Sequence, residues 1–428
     1  MTPVEISVSC KIITPMLASG ANQQEFEIRA TEIKSALRFW WRAFHPYNGK
    51  ELFEKESEIF GNTHKKAAFQ LFVTQDKIET YDIGEAHGWG EGVQYCLYPI
   101  NQLAKQKNGR IVEPARIKSE KKGGRSLAKP TKDVAFTIYF IFYKDKNNTI
   151  EDFIRVIEDI ICALWLLVNL GGIGGRTRRG AGCVEIVKIK PEMDEKMDLD
   201  WQLLDNLFNY KKYDSSINFI AAGLEIMRNR WFDPNKTYEI PDYTAFRPGQ
   251  SQIYVCSDPR TGKGTCAMKA MDSVGLGMKS FRYINPYHEA KEMHEAVNGG
   301  KMPAFNILEK AQMGLPIIYN FRDRERFDKG GPPKRGNQYE TKDVRRASPL
   351  LISCHCFKGI PYAVLCIFPA PILPKGKKIQ LKAKDSRKNF HVDPPSPDQF
   401  DYMANLVYEG DERHDPIGSN FNQIIQVC

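Results

Sequence analysis

The sequence predicts an α+β fold, and two observations carry this prediction. Short segments that alternate apolar and polar residues recur along the chain, and longer segments with apolar residues at helical spacing stand between them. Over residues 1–190 these segments follow the order strand, helix, strand, strand, helix, strand. This is the ferredoxin-like β-α-β-β-α-β order that RNA-recognition domains share, so we predict a ferredoxin-like domain over residues 1–190, followed by a second domain of similar α+β type.

The elements of the first domain, residues 1–190, follow from periodicity and from capping residues. Thr31 is the predicted N-cap of the first helix, and Gly61 is expected to end an acidic second helix. The predicted elements are a strand over 4–14, helices over 31–44 and 51–59, strands over 67–75 and 134–143, a helix over 150–167 and a strand over 183–189.

The rest of the chain divides by composition. Residues 76–130 are rich in glycine and lysine and have poor periodicity, which predicts an insertion into the first domain. The polar, acidic stretch 191–200 is a predicted linker, and 201–428 a second α+β domain of looser pattern. Its predicted strands cover 253–256, 317–321, 349–357 and 362–368, and its predicted helices lie near 218–231, 304–313 and 398–407.

Composition excludes several classes of protein. The 428 residues are 42% hydrophobic, which suffices for packed cores, and no apolar run reaches the roughly eighteen residues of a membrane span. Residues 1–10 lack the pattern of a secretory leader, so we expect a cytoplasmic protein without membrane contact. The ten cysteines include no C-x-x-C pair, and Cys354-His355-Cys356 is interpreted as strand packing. We therefore expect no metal and no cofactor.

A glycine- and arginine-rich segment, residues 171–182, is the strongest functional signal; we call it the Gly-Arg loop. It holds six glycines and three arginines directly after an apolar helix. Guanidinium groups bind phosphates bidentately, and glycines would let the backbone approach a ligand closely. The loop fits neither a P-loop nor a dinucleotide fingerprint, because the required lysine and third glycine are absent. A flexible connector with solvated charge is the alternative.

Further positive charge supports a polyanionic partner, since the net charge is +9 and the sequence pI about 8.9. Lys34, Arg38 and Arg42 recur every fourth residue of the first predicted helix, and an anion would relieve their repulsion. Salt bridges to the following acidic helix are the alternative. The stretch 105–132 predicts a mobile basic arm, and 322–346 is crowded with arginine; either could instead be a solvated face.

Four motifs of the first domain stand out: Ile13-Thr14-Pro15-Met16, the helix from Glu32 to Arg42, Glu58-Ile59-Phe60-Gly61 and the Gly-Arg loop. Together they resemble the N-terminal domain of the RAMP (repeat-associated mysterious protein) superfamily, which builds CRISPR effector complexes. Within that superfamily the first helix is most similar to the subunit-one family of the type III-B, or Cmr, complex. In the second half, the stretches 275–282 and 345–350 resemble the paired motifs of that family's second RAMP domain.

The resemblance implies a non-catalytic subunit that binds the 3′ part of the guide crRNA, with target RNA passing beside it, in antiviral defence. It also implies two ferredoxin-like (RRM-like, RAMP) domains in tandem, with insertions, and other RAMP subunits of the Cmr complex as partners. Trp40, Trp41 or Phe39 would stack an unpaired base, with the tryptophans equally open to a core role. The predicted RNA-binding residues are Lys34, Ser35, Arg38, Trp41, Arg42, Gly174, Gly175, Arg176, Thr177, Arg178, Arg179, Gly180, Lys279, Arg282, Arg345 and Arg346.

Two rival functions stay open at this point. Some RAMP relatives cut RNA without a metal and use a histidine as general base; here His45 and His64 stand nearest to the basic helix. Such an endoribonuclease would process CRISPR RNA. The second rival is a purely structural subunit whose basic residues meet acidic surfaces of partner proteins.

Overall fold

The protein is described by a computed structural model. The described residues are 3–22, 25–81, 89–98, 100–102, 105–107, 110–113, 116–117, 126–145, 148–192, 200–284, 306–315, 318–322, 335–341, 346–383, 389–396, 407 and 417–428.

Strands and helices occur in both halves of the described chain. The strands are β1 Val4–Ile12, β2 Phe69–Gln75, β3 Asn101–Gln102, β4 Lys105–Lys107, β5 Arg110–Glu113, β6 Arg116–Ile117, β7 Phe136–Phe142, β8 Val184–Glu192, β9 Gln252–Pro259, β10 Ile318–Arg322, β11 Arg335–Thr341, β12 Leu350–Phe357, β13 Ile360–Ile367, β14 Ile379–Ala383, β15 Asn389–Val392 and β16 Phe421–Gln426. The helices are α1 Ala30–Ala43, α2 Gly49–Phe60, α3 Glu91–Leu97, α4 Ile150–Leu170, α5 Trp201–Phe208, α6 Ser216–Trp231 and α7 Cys266–Ile284.

The first half forms an antiparallel sheet, sheet one, with the strand order β2-β7-β1-β8. Alternate residues of β1 are buried, beginning with Val4 and Ile6, and their side chains belong to the same core cluster as those of α1 and α4. The two central strands pair in simple register, for example Val8 opposite Ile138. The predicted β-α-β-β-α-β order is therefore present, with α2 added after α1.

The long helix α4 is the main buried element of this half. The hydroxyl of Thr149 caps its first turn by accepting a hydrogen bond from the Asp152 N–H. From Ile160 to Leu170 every side chain is buried, because α4 packs on sheet one on one side and on a second sheet on the other. The first helix differs from its prediction: α1 begins at Ala30 with Arg29 as N-cap, so Thr31 lies inside the first turn.

The second half contributes sheet two, with the strand order β12-β13-β9-β16. In both sheets, the strands that come first and third along the chain are the two central ones, namely β1 and β7 in sheet one and β9 and β13 in sheet two. Sheet two therefore repeats the strand order of sheet one. Both faces of sheet two are buried. One face, including Val255 and Val364, packs with α4 and α6, and the other, including Cys256 and Ile352, packs with α7. The layers thus alternate: sheet one, helices, sheet two, helices.

The predicted insertion over 76–130 is partly core. Within it α3 packs directly on α7, and the Asp272 carboxylate accepts hydrogen bonds from the backbone N–H groups of Gly92 at 2.8 Å and Val93 at 3.1 Å. A helix of seven residues is too short to show a helical period, which explains why the sequence pattern missed it. Where a mobile basic arm was expected, the described residues between 101 and 117 form two short paired ladders, β3 with β6 and β4 with β5.

Other boundaries also need correction. Strand β8 continues to Glu192, so the predicted linker begins inside a strand, and 193–199 lie outside the described residues. The predicted helix over 304–313 is a 3₁₀ turn over Glu309–Met313, preceded by residues outside the described range. Of the predicted helix over 398–407 only Val407 is described. Helices α5 and α7 and the strands β11 and β14 to β16 were not predicted.

The cysteine cluster of β12 is structural. Cys354 is a free, buried thiol, and the imidazole of His355 lies 2.9 Å from the Asn169 carbonyl oxygen, which confirms strand packing. Cys356 forms a disulfide with Cys266 at the start of α7. Over the described residues, no group of three or more histidine, cysteine or acidic side chains has metal-site geometry. Within the same part of the chain, no helix has both the length and the apolarity that crossing a membrane requires.

Candidate nucleic-acid interface

The glycines of the Gly-Arg loop serve internal packing. Gly174 has a φ of +98°, and a Cβ there would lie 2.3 Å from the Leu17 carbonyl oxygen. Gly182 has a φ of +68°, and its Cβ would lie 2.0 Å from the carbonyl oxygen of Ile173. The expectation that these glycines clear space for a ligand is therefore wrong at both positions, because the protein's own backbone fills that space.

Backbone hydrogen bonds hold the loop in place. The N–H of Gly175 donates to the Leu17 carbonyl at 2.7 Å, and the N–H of Gly182 donates to Pro15 at 2.9 Å. On the other side, the N–H of Gly180 donates to the carbonyl of Ile352 in sheet two at 3.1 Å. The loop thus joins the segment after β1 to sheet two, which contradicts the flexible-connector alternative.

This fixed backbone presents three arginines. Arg176 adopts the left-handed conformation, with a φ of 64°, and residues Thr177–Arg179 form a 3₁₀ turn. The Arg178 guanidinium donates to the Ser348 carbonyl and lies 5.4 Å from the ring centre of Phe39 on α1. The guanidinium of Arg179 lies 5.9 Å from the ring of Tyr95 on α3. Two halves of the chain therefore meet at this turn.

The charge of these arginines is not neutralised within the described part of the chain. No described carboxylate lies within 4.0 Å of Arg176, Arg178 or Arg179. Burial and the neighbouring Arg346 lower the pKa of Arg178 to about 10, and burial and Arg179 lower the pKa of Arg176. Even so, both groups stay charged at neutral pH. Partly desolvated cations without counter-ions are costly, and a bound anion would remove that cost.

The basic stack of α1 has a different environment. Glu56 of α2 accepts salt bridges from Arg38 at 3.0 Å and from Arg42 at 3.4 Å. Arg38 also donates to the carbonyls of Phe60 and Gly61 at the end of α2. The alternative interpretation, pairing with the acidic helix, is confirmed for these two arginines. Lys34 lies 5.3 Å from the ring of Phe69, and burial and Arg38 lower its pKa.

Two of the three predicted stacking rings are core residues. Trp40 and Trp41 are only 2% and 1% exposed, so neither presents a face to a base, and the assignment of Trp41 to RNA contact is corrected on this ground. Phe39 is partly exposed and holds Arg178 over its ring, and the exposed Ser35 lies one turn earlier on α1. Of the predicted aromatic set, only Phe39 can take part in the interface.

The second half contributes one arginine to the cluster. Arg346 donates to the Asp242 carbonyl at 2.9 Å, and its charge acts on Arg178. Lys279 instead forms a salt bridge with Glu91 of α3. The side chain of Arg282 and all of Arg345 lie outside the described residues. Sequence reasoning missed Tyr95, which reaches the site from α3, because nothing in the unpatterned stretch around it marked a helix.

We call Arg176, Arg178, Arg179 and Arg346, with Phe39, the arginine cluster. It unites residues of α1, the Gly-Arg loop and the segment before β12. The arrangement offers several guanidinium groups and one aromatic ring on rigid backbone, a chemistry that suits phosphates and an unstacked base.

The candidate histidines do not form a catalytic arrangement. His45 is 3% exposed, stacks on Trp41 at 3.7 Å between ring centres, and donates a hydrogen bond from Nδ1 to the Trp41 carbonyl oxygen at 2.6 Å. Burial lowers its pKa to about 4, against the opposing effect of Asp159. His64 lies in an exposed turn that Asn62 caps through its side-chain oxygen. His45 is thus closed off from a ribose hydroxyl, and the packing of its ring explains its presence.

Comparison with known proteins agrees with the fold and with the motifs. A family model described as the RAMP superfamily matches residues 9–185. The curated Cmr subunit Cmr1-2 of Pyrococcus furiosus is 28% identical over 194 residues, which are 42% of this chain and 92% of that protein. Cmr subunit Cmr1-1 of the same organism is 25% identical over 236 residues, 53% of this chain and 61% of that relative.

The fold extends the likeness beyond the matched segment. The crystal structure of Cmr1 from Pyrococcus furiosus in its apo form superposes with a TM-score of 0.54 and 19% identity, and the alignment covers 100% of this chain and 99% of that one. At this identity the likeness concerns the fold alone. Residues 9–185 thus match the RAMP superfamily, and the chain is similar to the Cmr subunits Cmr1-2 and Cmr1-1.

Proposed function

We propose that this chain is a non-catalytic RNA-binding subunit of a type III-B CRISPR (Cmr) ribonucleoprotein. In this role it binds the 3′ part of the guide crRNA, beside the target RNA, in antiviral defence, with other RAMP subunits as neighbours. The similarity to two curated Cmr subunits supports the assignment to the complex. The repeated strand order of sheets one and two supports two ferredoxin-like domains in tandem.

One observation carries the RNA-binding role. Three arginines project from a backbone that hydrogen bonds fix, and no described carboxylate lies within 4.0 Å of any of them. Elsewhere in the described chain, arginines such as Arg38 and Arg230 are paired with acids. A loop that concentrates unpaired cations is therefore best explained by an anionic partner that comes from outside the chain.

The chemistry of the cluster suits a guide whose sequence varies. Guanidinium contacts to phosphates supply affinity without reading bases, and recognition of the target is left to base pairing. Arg176, Arg178 and Arg179 are the proposed phosphate contacts, and Arg178 in addition donates to the Ser348 carbonyl and lies over the ring of Phe39. Arg38 and Arg42 would contribute less, since both share Glu56.

A binding and cleavage assay tests the proposal. Purified chain is incubated with end-labelled crRNA, and complex and cleavage products are read from native and denaturing gels. We expect intact bound RNA, and weaker binding by the Arg176→Ala, Arg179→Ala double variant, which leaves the Arg178 hydrogen bond in place. Cleavage that disappears in His45→Ala or His64→Ala would establish the endoribonuclease alternative instead. Unchanged binding by the double variant would exclude the loop as the RNA site.

A further inference from the structure

The face of sheet one that is turned away from α1 and α4 carries exposed aromatic side chains. Phe72 of β2 is 50% exposed, Tyr139 of β7 is 38% exposed, and Tyr143, just past the end of β7, is 48% exposed. Phe72 and Tyr139 are directly opposite each other in the β2–β7 pairing. We call these three residues the aromatic platform. A cluster of exposed rings on an open sheet is unusual in a folded protein and indicates a binding surface.

Polar and basic side chains continue the platform across the sheet. One row of opposed residues runs from Phe72 through Tyr139 and Ser7 to Lys190, because each is the register partner of the next. The adjacent row holds only polar side chains and also ends in a lysine of β8: Thr74, Thr137, Ser9 and Lys188. Side chains opposed in this way lie on the same face of a sheet. Aromatic rings thus occupy one side of the face and lysines the other.

The charges on this face leave the lysines available. Lys190 is paired with Glu192 at 2.5 Å and Lys11 with Glu185 at 3.0 Å, while no described carboxylate lies within 4.0 Å of Lys188. The Lys190 pair is well exposed, with 60% and 58% of the two side chains accessible. Exposed ion pairs contribute little to stability, so a phosphate group can replace the carboxylate.

We propose that the aromatic platform binds single-stranded RNA, with bases stacked on Phe72, Tyr139 and Tyr143 and phosphates at Lys188 and Lys190. Flat rings accept any base, the serine and threonine hydroxyls offer hydrogen bonds to base edges or ribose, and the lysine edge meets the backbone. A protein partner would not need a hydroxyl row between rings and cations. This surface is separate from the arginine cluster, which contacts α1 and sheet two on the helical side of sheet one.

The two RNA surfaces have different physical signatures, so they are separable by experiment. Base stacking contributes about five-fold to more than a hundred-fold in affinity for each base and depends weakly on salt, whereas phosphate contacts set the salt dependence. The proposal does not rest on the guide-binding role, because each surface has its own variants and its own readout.

Fluorescence anisotropy of labelled polyuridine RNA with the full chain tests the platform. We expect Tyr139→Ala and Phe72→Ala each to weaken binding at least about five-fold at every salt concentration without changing the slope against salt. Tyr139→Trp should retain binding, because an indole stacks as well as a phenol. The matched control is Phe53→Ala, which removes a ring that is 58% exposed on α2, away from sheet one.

Photocrosslinking of thiouridine-substituted RNA provides the second readout, with crosslinked peptides expected from β2 and β7. Wild-type affinity and crosslinking in both alanine variants would overturn the proposal. A Tyr139→Ala variant that binds RNA normally but loses its partner subunits would also overturn it and identify the face as a protein interface. Wild-type RNA binding by the arginine-cluster variants, together with weakened binding by the platform variants, would refute only the guide-binding role.

Discussion

Removing the three arginines of the Gly-Arg loop should flatten the salt dependence of RNA binding. Each phosphate contact to a single strand contributes about 0.7 to the slope of log K against log salt, so three contacts contribute about 2. Between about 50 and 200 mM salt, the affinity advantage of the wild type over the variant should therefore shrink about fifteen-fold. The assay is fluorescence anisotropy of single-stranded RNA with the wild type and the Arg176→Ala, Arg178→Ala, Arg179→Ala variant.

Two controls separate loop contacts from net charge and from misfolding. A variant with Lys50→Ala, Lys55→Ala and Lys236→Ala also removes three positive charges, each from an exposed salt bridge near a helix. The double variant Arg176→Ala, Arg179→Ala keeps the Arg178–Ser348 hydrogen bond. Its salt slope should change by about two thirds of the amount expected for the triple variant. Equal slopes for wild type and loop variant, with both folded, would refute the assignment of phosphates to this loop.

Four further predictions concern stability. Gly182→Ala should cost about 3 kcal/mol in unfolding free energy by denaturant titration, since it combines a positive φ with a Cβ 2.0 Å from a carbonyl oxygen; a loss below about 1 kcal/mol would contradict the packing argument. Cys266→Ser should melt at a lower temperature than the wild type under oxidising conditions only, because the disulfide closes a separation of 90 residues and contributes up to about 4–5 kcal/mol. A wild type that melts at the same temperature with and without reductant would refute this. The depressed pKa of His45, about 4 against 6.5 unfolded, contributes about 3 kcal/mol above pH 6.5 that is lost as the pH falls toward 4, so His45→Gln should show a flatter pH profile of unfolding free energy; parallel profiles would show that His45 does not titrate on unfolding. Glu56→Gln should lower the unfolding free energy by about 1 kcal/mol, because it removes the salt bridges to Arg38 and Arg42, and it should leave the salt slope of RNA binding unchanged. A changed slope would indicate that these two arginines contact RNA.

The first half of the fold was predictable because one face of sheet one is solvated. Alternation along β1 and β7 then mirrors burial, as the buried Val8 and the exposed Tyr139 show. Sheet two is buried on both faces, so its strands lack that alternation: β12 is buried at seven of its eight positions. The sequence pattern therefore located β9, β12 and β13, but it did not indicate which face of the sheet each residue lies on.

The elements that escaped prediction have specific physical reasons. Helix α7 contains Gly275 and Gly277, which weaken its helical signal, yet a Cβ at Gly275 would lie 2.1 Å from the Gly92 carbonyl oxygen. Close packing of α7 against α3 thus requires a glycine at position 275, and that glycine weakens the helical pattern in the sequence. Strand β16 is an edge strand with three polar residues among its six, and no alternation of its own marked it.

The reasoning that selected the Gly-Arg loop as the candidate site was wrong for two of its glycines. The clustering of glycine and arginine identified the loop, but at Gly174 and Gly182 the positive φ and close contacts serve the protein's own backbone. The stacked charges on α1 could not be assigned from sequence, because the position of Glu56 relative to Arg38 depends on how α2 folds back. The role of Tyr95 needed the tertiary contact between α3 and the loop.

The most direct test of the central claim is crosslinking of guide RNA to the Arg178→Glu variant inside the reconstituted ribonucleoprotein, with Lys236→Glu as the charge-matched control. Charge reversal at the arginine cluster should abolish crosslinks from the 3′ part of the guide to this chain, while subunit assembly and the control remain normal. Intact crosslinks together with failed assembly would contradict the account and show that the cluster binds a partner protein.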